Sequence, residues 1–418
     1  MAADGDLPTY QDVEYASTVL HGVAHHTRIE TSNTLDTELG VKVFVKCENM
    51  QRMGAFKFRG AYNSINHYNS GGKKLRHVLT YSSGNHAQAI ALASTLHGVK
   101  STIIMPKDAP PLKLKATQSY GGDIVYYDRY KEKRDEVAER VAKTLPTEGM
   151  IFIPPYDHKY VIAGQGTVGK EMIEDLQSKD ITLDYLFVCV GGGGLISGIC
   201  LAANALSPKT KVIGVEPEAG NDAQQSLQQG RIITIETPHT IADGAQTPHL
   251  GELTFAIMKR HVSQIITVTD EDLVRDMKFF GERMKMVVEP TGCLGLAGLR
   301  KMVQNGEIPK QSNCGVVISG GNVDMMRYYP DLNACRYLCS IQCGDTNLGE
   351  FSVRLQEPSL WPPDPQLYPR AGPAGFVGGL TLPGACHVLF PMPPILPPAF
   401  TAGVGATYAP TPNLSIRN

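Results

Sequence analysis

The chain has a single tryptophan, Trp361, and aromatic residues make up 7% of its 418 positions. Charge is sparse too: Asp, Glu, Lys and Arg together are 19%, and the formal net charge is -2. So even a balance carries no field that would draw nucleic acid or an acidic membrane surface. No run of about 20 apolar residues free of helix breakers occurs, so no membrane span is expected. Met1 to Tyr10 has two Asp, no Lys or Arg and no apolar stretch, which is unlike a secretory signal and leads us to expect a cytoplasmic protein. Disulfide patterning is missing as well. Cys47, Cys189, Cys200, Cys293 and Cys314 stand in apolar stretches and read as reduced core thiols. With 42% apolar residues, the chain has room for two or three domains and a sizeable core.

What is present is a regular alternation of strand and helix patterns. After an amphipathic helix over 9–24 and a strand over 41–47, strands are predicted at 78–81, 101–105, 123–127 and 150–153. Helices fall between them at 86–96, 112–120 and 131–145. Beyond Pro154-Pro155 the pattern resumes: helix 161–177, strand 185–190, helix 195–206, strand 211–216, strand 264–268, helix 270–284 and strand 315–319. Such alternation predicts an α/β fold of two doubly wound parallel sheets covered on both faces. We expect one domain from 1–52 and 153–330 and a smaller one from 53–152. After residue 330 the character changes. Half of the 28 prolines lie there, residues 371–416 carry no Asp, Glu, Lys or Arg, and no strand pairing pattern is evident. This extension reads as disordered or irregular, or as a mis-spliced or frame-shifted end. Its Cys335, Cys339 and Cys343 could share a helix face, but no paired metal-ligand motif accompanies them.

Four segments carry chemistry. Gly191 to Gly194 follow the apolar run Leu186 to Val190 and open a helix. Backbone amides bare of side chains at a helix N-terminus form a cradle for a phosphate. Lys57 stands between Phe56 and Phe58, inside Gly54 to Gly60. Apolar flanks lower an ammonium pKa and suit a Schiff-base lysine, while a snorkelling surface lysine is the plain alternative. Ser82-Ser83-Gly84-Asn85-His86 joins a strand to a helix with donors fit for a carboxylate; a simple helix cap would look the same. Glu216, Gly220 and Asp222 follow a strand and could offer oxygens to Mg²⁺ or Ca²⁺, or form a solvated turn. A dinucleotide fold is the rival for the glycine run. Its Gly-x-Gly-x-x-Gly pattern fails at Ile196, and it explains neither Lys57 nor the serine loop.

Several further motifs occur in order: Lys46 to Gln51, Ala163 to Thr167, Thr240 to Gly244, Val288 to Thr291 and Ser319 to Asp324. Together with the segments above they make residues 10 to 330 resemble the fold-type II pyridoxal-phosphate enzymes, in the serine racemase and serine/threonine dehydratase group. The resemblance implies that Lys57 bonds the aldehyde of pyridoxal 5'-phosphate and that Phe56 stacks near the ring. It also implies that Asn85 bonds the ring hydroxyl, Gly191, Gly192, Gly193 and Gly194 hold the phosphate, and Ser319 faces the ring nitrogen. Ser82, Ser83, Asn85 and His86 would bind the substrate carboxylate. Lys57 would take the α-proton from one face and Ser83 would act on the other. A proton returned by Ser83 gives the other enantiomer, whereas loss of the β-hydroxyl gives a 2-oxo acid and ammonia. The resemblance further implies a divalent cation at Glu216, Gly220 and Asp222, ATP as an effector near Gln88, Tyr120, Lys285 and Asn322, and a homodimer.

The expected activity is therefore serine racemase and/or L-serine (threonine) dehydratase, with a threo-3-hydroxyaspartate or catabolic threonine dehydratase as the alternative. Outside that class stand a nicotinamide dehydrogenase and a non-catalytic amino-acid-binding protein. Four departures are visible: Ala55 where the family has Ser, Thr27-Arg28 where it has Thr-Pro, and Pro154 to His158 and Asp243 to Leu250 (with Pro248-His249), which both lean toward fungal or dehydratase-type relatives.

Overall fold

The computed structural model describes residues 7–71 and 74–325, and in the C-terminal region 379–382 and 386–389. The chain divides into two units, Met1–Asp324 and Met325–Asn418. The first unit begins with α1 (Tyr10–Leu20), whose Thr9 and Asp12 form a reciprocal capping box. It continues with β1 (Ile29–Glu30), α2 (Asn33–Leu39), β2 (Lys42–Cys47), α3 (Lys57–Ser70), β3 (His77–Tyr81) and α4 (Asn85–Leu96). Next come β4 (Lys100–Pro106), α5 (Pro111–Ser119), β5 (Asp123–Tyr127), α6 (Arg134–Ala142), β6 (Met150–Phe152) and α7 (Lys159–Gln177). Then follow β7 (Tyr185–Cys189), α8 (Gly194–Leu206), β8 (Lys211–Pro217), α9 (Asp222–Gln229), α10 (Glu252–His261), β9 (Gln264–Val268), α11 (Asp270–Phe279), α12 (Pro290–Gln304) and β10 (Asn313–Ile318).

Two sheets result. One has the order β5-β4-β3-β6 and is wholly parallel. The other has the order β1-β2-β10-β7-β8-β9, parallel except for the short edge strand β1. All five residues of β7 are buried, as a strand covered on both faces requires. In each sheet the chain winds outward one way and then returns to the other side of its starting strand. The reversal falls between β3 and β6 in the first sheet and between β7 and β10 in the second. Crevices at the C-terminal ends of such strands are where open α/β sheets hold ligands. The segments Ser82–His86, Ile153–His158, Gly191–Gly194 and Ser319–Asn322 follow β3, β6, β7 and β10 in that order.

Some boundaries differ from the pattern. The helix expected over 131–145 begins only at Arg134, because Asp128 and Glu132 close a turn in which the Asp128 amide donates to Glu132. The helix expected over 270–284 ends as an α-helix at Phe279 and loosens into a π turn over Phe280–Met284, which Lys285 stops at φ 59°. In the second unit, β11 (Gly379–Leu382) and β12 (Cys386–Leu389) pair antiparallel. The tail composition predicts no strand pairing there, whereas the structure pairs these two segments. Cys335, Cys339 and Cys343 and the rest of the predicted extension lie outside the described residues. Among the described residues no helix is long and apolar enough to cross a membrane.

Candidate active site

Lys57 opens α3, and the segment before it is zipped to the segment after β10. Phe56 N donates to the Ser319 carbonyl (3.1 Å), Ala55 bridges Gly320, and Gly321 N donates to the Gly54 carbonyl (2.9 Å). Lys57 Nζ donates to the Pro155 carbonyl at 2.8 Å and stands 5.1 Å from the centre of the Phe56 ring. Burial lowers its pKa to about 8, against a weaker opposing influence of the Cys189 thiol. An ammonium so placed gives up its proton near pH 8, well below the ordinary range of a lysine. Cys189 ends β7, one residue (Val190) ahead of the glycine run, and burial pushes its thiol up to about 11.

Side chains fill the space around the glycine run. A Cβ on Gly192 would lie 2.2 Å from the Tyr156 ring, and Gly193 has φ 86°, a left-handed turn that feeds α8. Tyr156 is buried and its hydroxyl donates to the His249 carbonyl at 3.3 Å. Asp157 beside it accepts the amides of Glu252, Leu253 and Thr254 and so caps α10. The cradle is thus a set of backbone amides at the start of α8, its walls fixed by Tyr156 and α10. Ser319 Oγ is buried and finds no hydrogen-bond partner. This hydroxyl, the desolvated amine of half-buried Lys57 and the glycine cradle fit the nitrogen, aldehyde and phosphate of pyridoxal phosphate.

On the other side of the cleft, Ser82 Oγ accepts the Gly84 amide at 3.1 Å, and Ser83 is half-buried. His86 is buried with Nε2 3.3 Å from the Ile153 carbonyl. Burial, then the Lys57 charge, lowers its pKa to about 3. Asn85 Nδ2 donates to Glu289 Oε1 (2.6 Å), and Asn85 Oδ1 accepts from Asn322 Nδ2 (3.0 Å). Glu289 is wholly buried and its carboxyl is pushed up to about 7 by burial, against the pull of Lys113 at 3.5 Å. Lys113, itself buried, also donates to Asp243. Sequence pattern does not point to Glu289 or Lys113 as site residues: Glu289 stands in the Val288 to Thr291 motif, and Lys113 sits in the Leu-Lys-Leu-Lys stretch of α5 and reads as a surface residue.

The predicted cation ligands sit at the end of β8. Glu216 accepts the amides of Ala223 (3.0 Å) and Gln224 (2.9 Å), so it caps α9, and Asp222 Oδ2 is buried without a hydrogen-bond partner. Burial, then the Asp222 charge, holds Glu216 well above the usual carboxylate range, and burial brings Asp222 to about 7. Among the described residues no three His, Cys, Asp or Glu side chains converge on a metal site; this set has two carboxylates and the Gly220 carbonyl. Of the four residues suggested for a nucleotide, Gln88 is buried in α4, Tyr120 is half-buried, Lys285 is exposed and donates to the Glu282 carbonyl, and Asn322 joins the Asn85 network.

A family model described as "Pyridoxal-phosphate dependent enzyme" matches residues 22–320. The chain is 52% identical over 322 residues to a serine racemase of Schizosaccharomyces pombe, covering 77% of this chain and 96% of that one. It is also 52% identical over 322 residues to an L-threo-3-hydroxyaspartate ammonia-lyase of Saccharomyces cerevisiae, covering 77% and 95%. Among solved structures, maize serine racemase superposes with a TM-score of 0.72 at 36% identity, covering 79% of this chain and 98% of that one.

Proposed function

The chain belongs to the pyridoxal-phosphate-dependent enzyme family, and from that premise we propose that it acts on β-hydroxy amino acids, as a serine racemase and/or an L-serine (threonine) dehydratase. A threo-3-hydroxyaspartate dehydratase is the second reading, favoured by the identity to the yeast ammonia-lyase. The observation that carries the proposal is the amine of half-buried Lys57, its pKa lowered to about 8 by desolvation beside Phe56 and the Pro155 carbonyl.

When bound, pyridoxal phosphate supplies the electron sink that makes an amino acid's α-proton acidic. Lys57 would hold it, and the neutral amine of Lys57 would be placed to take that proton. Gly191, Gly192, Gly193 and Gly194 would hold the phosphate through backbone amides. Phe56 would pack by the ring, and Asn85 would donate to the ring hydroxyl. Ser319 would offer the ring nitrogen a neutral hydroxyl, which does not favour its protonation. Ser82, Ser83, Asn85 and His86 receive the substrate carboxylate. Ser83 holds or delivers a proton on the face opposite Lys57, and the choice between returning it to Cα and losing the β-hydroxyl divides racemisation from elimination.

Mg²⁺ or Ca²⁺ is assigned to Glu216, Gly220 and Asp222, since a divalent charge satisfies two buried carboxylates that repel each other. ATP is assigned as an effector at Gln88, Tyr120, Lys285 and Asn322, in a cytoplasmic homodimer. The test is incubation with L-serine, L-threonine and L-threo-3-hydroxyaspartate, assaying D-serine, 2-oxo acid and ammonia together. Turnover of a β-hydroxy amino acid that disappears in Lys57→Ala, together with a visible band that borohydride bleaches, is expected. A colourless protein inert to all three substrates overturns the proposal.

A further inference from the structure

Arg59 lies two residues beyond Lys57 on α3 and is fully buried. Successive helical residues turn by about 100°, so the two side chains leave the helix on nearly opposite faces. Arg59 Nε and Nη2 both donate to Glu48 (2.8 and 2.8 Å), and Nη1 and Nη2 both donate to Glu171 (2.6 and 2.9 Å). Nη1 also reaches Thr167 Oγ1 (3.1 Å), and Nη2 the His25 carbonyl (3.1 Å). A second buried cation, Lys46, donates to Glu171 (2.7 Å) and to the Thr27 carbonyl (2.8 Å), and Thr27 Oγ1 donates to Glu48. Two cations and two carboxylates cancel, and every nitrogen of the guanidinium fork is engaged.

The network ties β2, the turn at Glu48, α3 and α7 to one point. The helix start has no side-chain cap, so the network adds a side-chain fastening to the backbone bonds that tie Gly54 and Phe56 to the segment after β10. Close packing completes the clamp. Gly60 N donates to Gln165 Oε1 (3.1 Å), and a Cβ on Gly164 would stand 2.7 Å from the Arg59 carbonyl oxygen.

We propose that Arg59 is a positioning residue for Lys57: the buried Arg59–Glu48–Glu171–Lys46 network fixes the first turn of α3 and thereby where the reacting amine stands. The inference rests on the role assigned to Lys57 above. A lysine at position 59 keeps the charge but offers a point donor that cannot grip two carboxylates side by side. Thr167→Val removes the contact to Arg59 Nη1, together with the hydroxyl's bond to the Gly164 carbonyl (2.7 Å) within α7, at almost constant volume.

The experiment uses the full chain loaded with pyridoxal phosphate. In Arg59→Lys, kcat for L-serine elimination is expected to fall about 10- to 100-fold while KM moves less than about 3-fold, since a small misplacement of a reacting group costs rate and not substrate affinity. The visible circular-dichroism band of the bound cofactor should weaken in parallel, and Thr167→Val should shift both in the same direction by a smaller factor. A folded Arg59→Lys with wild-type kcat and band overturns the proposal, whatever its melting temperature. Should Arg59→Lys fail to fold, Thr167→Val decides: unchanged kcat and band overturn the proposal. A wild-type protein that yields no borohydride-trapped Lys57 peptide overturns the reading of Lys57, and this inference with it. A trapped Lys57 with indifferent variants overturns the role of Arg59 alone.

Discussion

Asn85 Nδ2 donates to Glu289 Oε1 at 2.6 Å, so the first residue of α4 is bonded to the residue that precedes α12. Asn85 Oδ1 is taken as well, by Asn322 Nδ2 at 3.0 Å. A primary amide has two donors and one acceptor oxygen. With the oxygen and one donor committed, a single N–H is left, and its direction is set by Glu289 and Asn322. In the proposed reading that donor meets the ring hydroxyl of the cofactor, so Glu289 orients a group it does not replace.

Asn85→Asp should therefore be worse than Asn85→Ala. Aspartate presents acceptors only, and it sets a carboxyl against the buried carboxyl of Glu289. We expect Asn85→Asp to bind pyridoxal phosphate at least about 10-fold more weakly than wild type and to lose about 1–3 kcal/mol of stability, the usual penalty for a buried polar group left unsatisfied. Cofactor titration by absorbance and urea melts of the three proteins check this. Equal affinity in Asn85→Asp and wild type would remove Asn85 from the cofactor site.

The Gly192 position makes a second prediction. Its missing Cβ would fall 2.2 Å from the buried Tyr156 ring, so Gly192→Ala must push that ring or the backbone aside. Overpacking of this kind costs about 1–3 kcal/mol. Gly192→Ala should also weaken binding of the phosphate end of the cofactor. Tyr156→Ala clears the space, so the double variant should lose less stability than the two single losses added. Additive losses in urea melts would show that the ring and the glycine are not in conflict.

Much of this site was legible because glycine and apolar runs are local signals. Leu186 to Val190 reads as a buried strand, and β7 is one; Gly191 to Gly194 reads as a cradle at a helix start, and α8 begins at Gly194. What stayed hidden are polar residues whose burial depends on partners distant in sequence. Lys46 reads as the solvent side of an alternating strand, yet it is buried against Glu171, 125 positions away. Lys113 is buried against Asp243, 130 positions away. The same effect hid α3, where buried Arg59, Asn63 and Ser64 break the apolar stripe by which a helix is recognised. Composition and period record which side chains avoid water alone, and carry no signal for charges that leave water in pairs.

The histidines at the cleft should shape stability in acid. Burial lowers His158 to about 4 and His86 to about 3, both below the ordinary 6.5. Between about pH 6.5 and 4 the unfolded chain binds protons that folded His158 refuses, so this residue's contribution is present above pH 6.5 and is lost as pH falls through that window. The slope reaches at most about 1.4 kcal/mol per pH unit for one group. The raised carboxyls of Asp222 and Glu289, each at about 7, act in the opposite direction over the same range and mute the wild-type slope. The difference between His158→Asn and wild type isolates the histidine. Relative to wild type, the variant should gain stability steadily from pH 6.5 down to 4. A pH-independent difference in urea melts would show that His158 titrates normally.

The last prediction concerns the two carboxylates after β8. Glu216 is already occupied as an acceptor for the α9 amides, whereas Asp222 Oδ2 is buried and unpartnered. A divalent cation supported by both, with the Gly220 carbonyl, exchanges mutual repulsion for attraction to a common charge. Binding to the folded state alone adds about 2.7 kcal/mol of stability at one hundred times the dissociation constant. Millimolar Mg²⁺ or Ca²⁺ should therefore raise the melting temperature at pH 8, and EDTA should reverse the gain. Asp222→Asn preserves shape and removes charge, so it should lose most of the cation response while keeping the Glu216 cap on α9. A melting temperature indifferent to both cations in the wild type, or an equal cation response in Asp222→Asn, would mean that these carboxylates serve only to start α9.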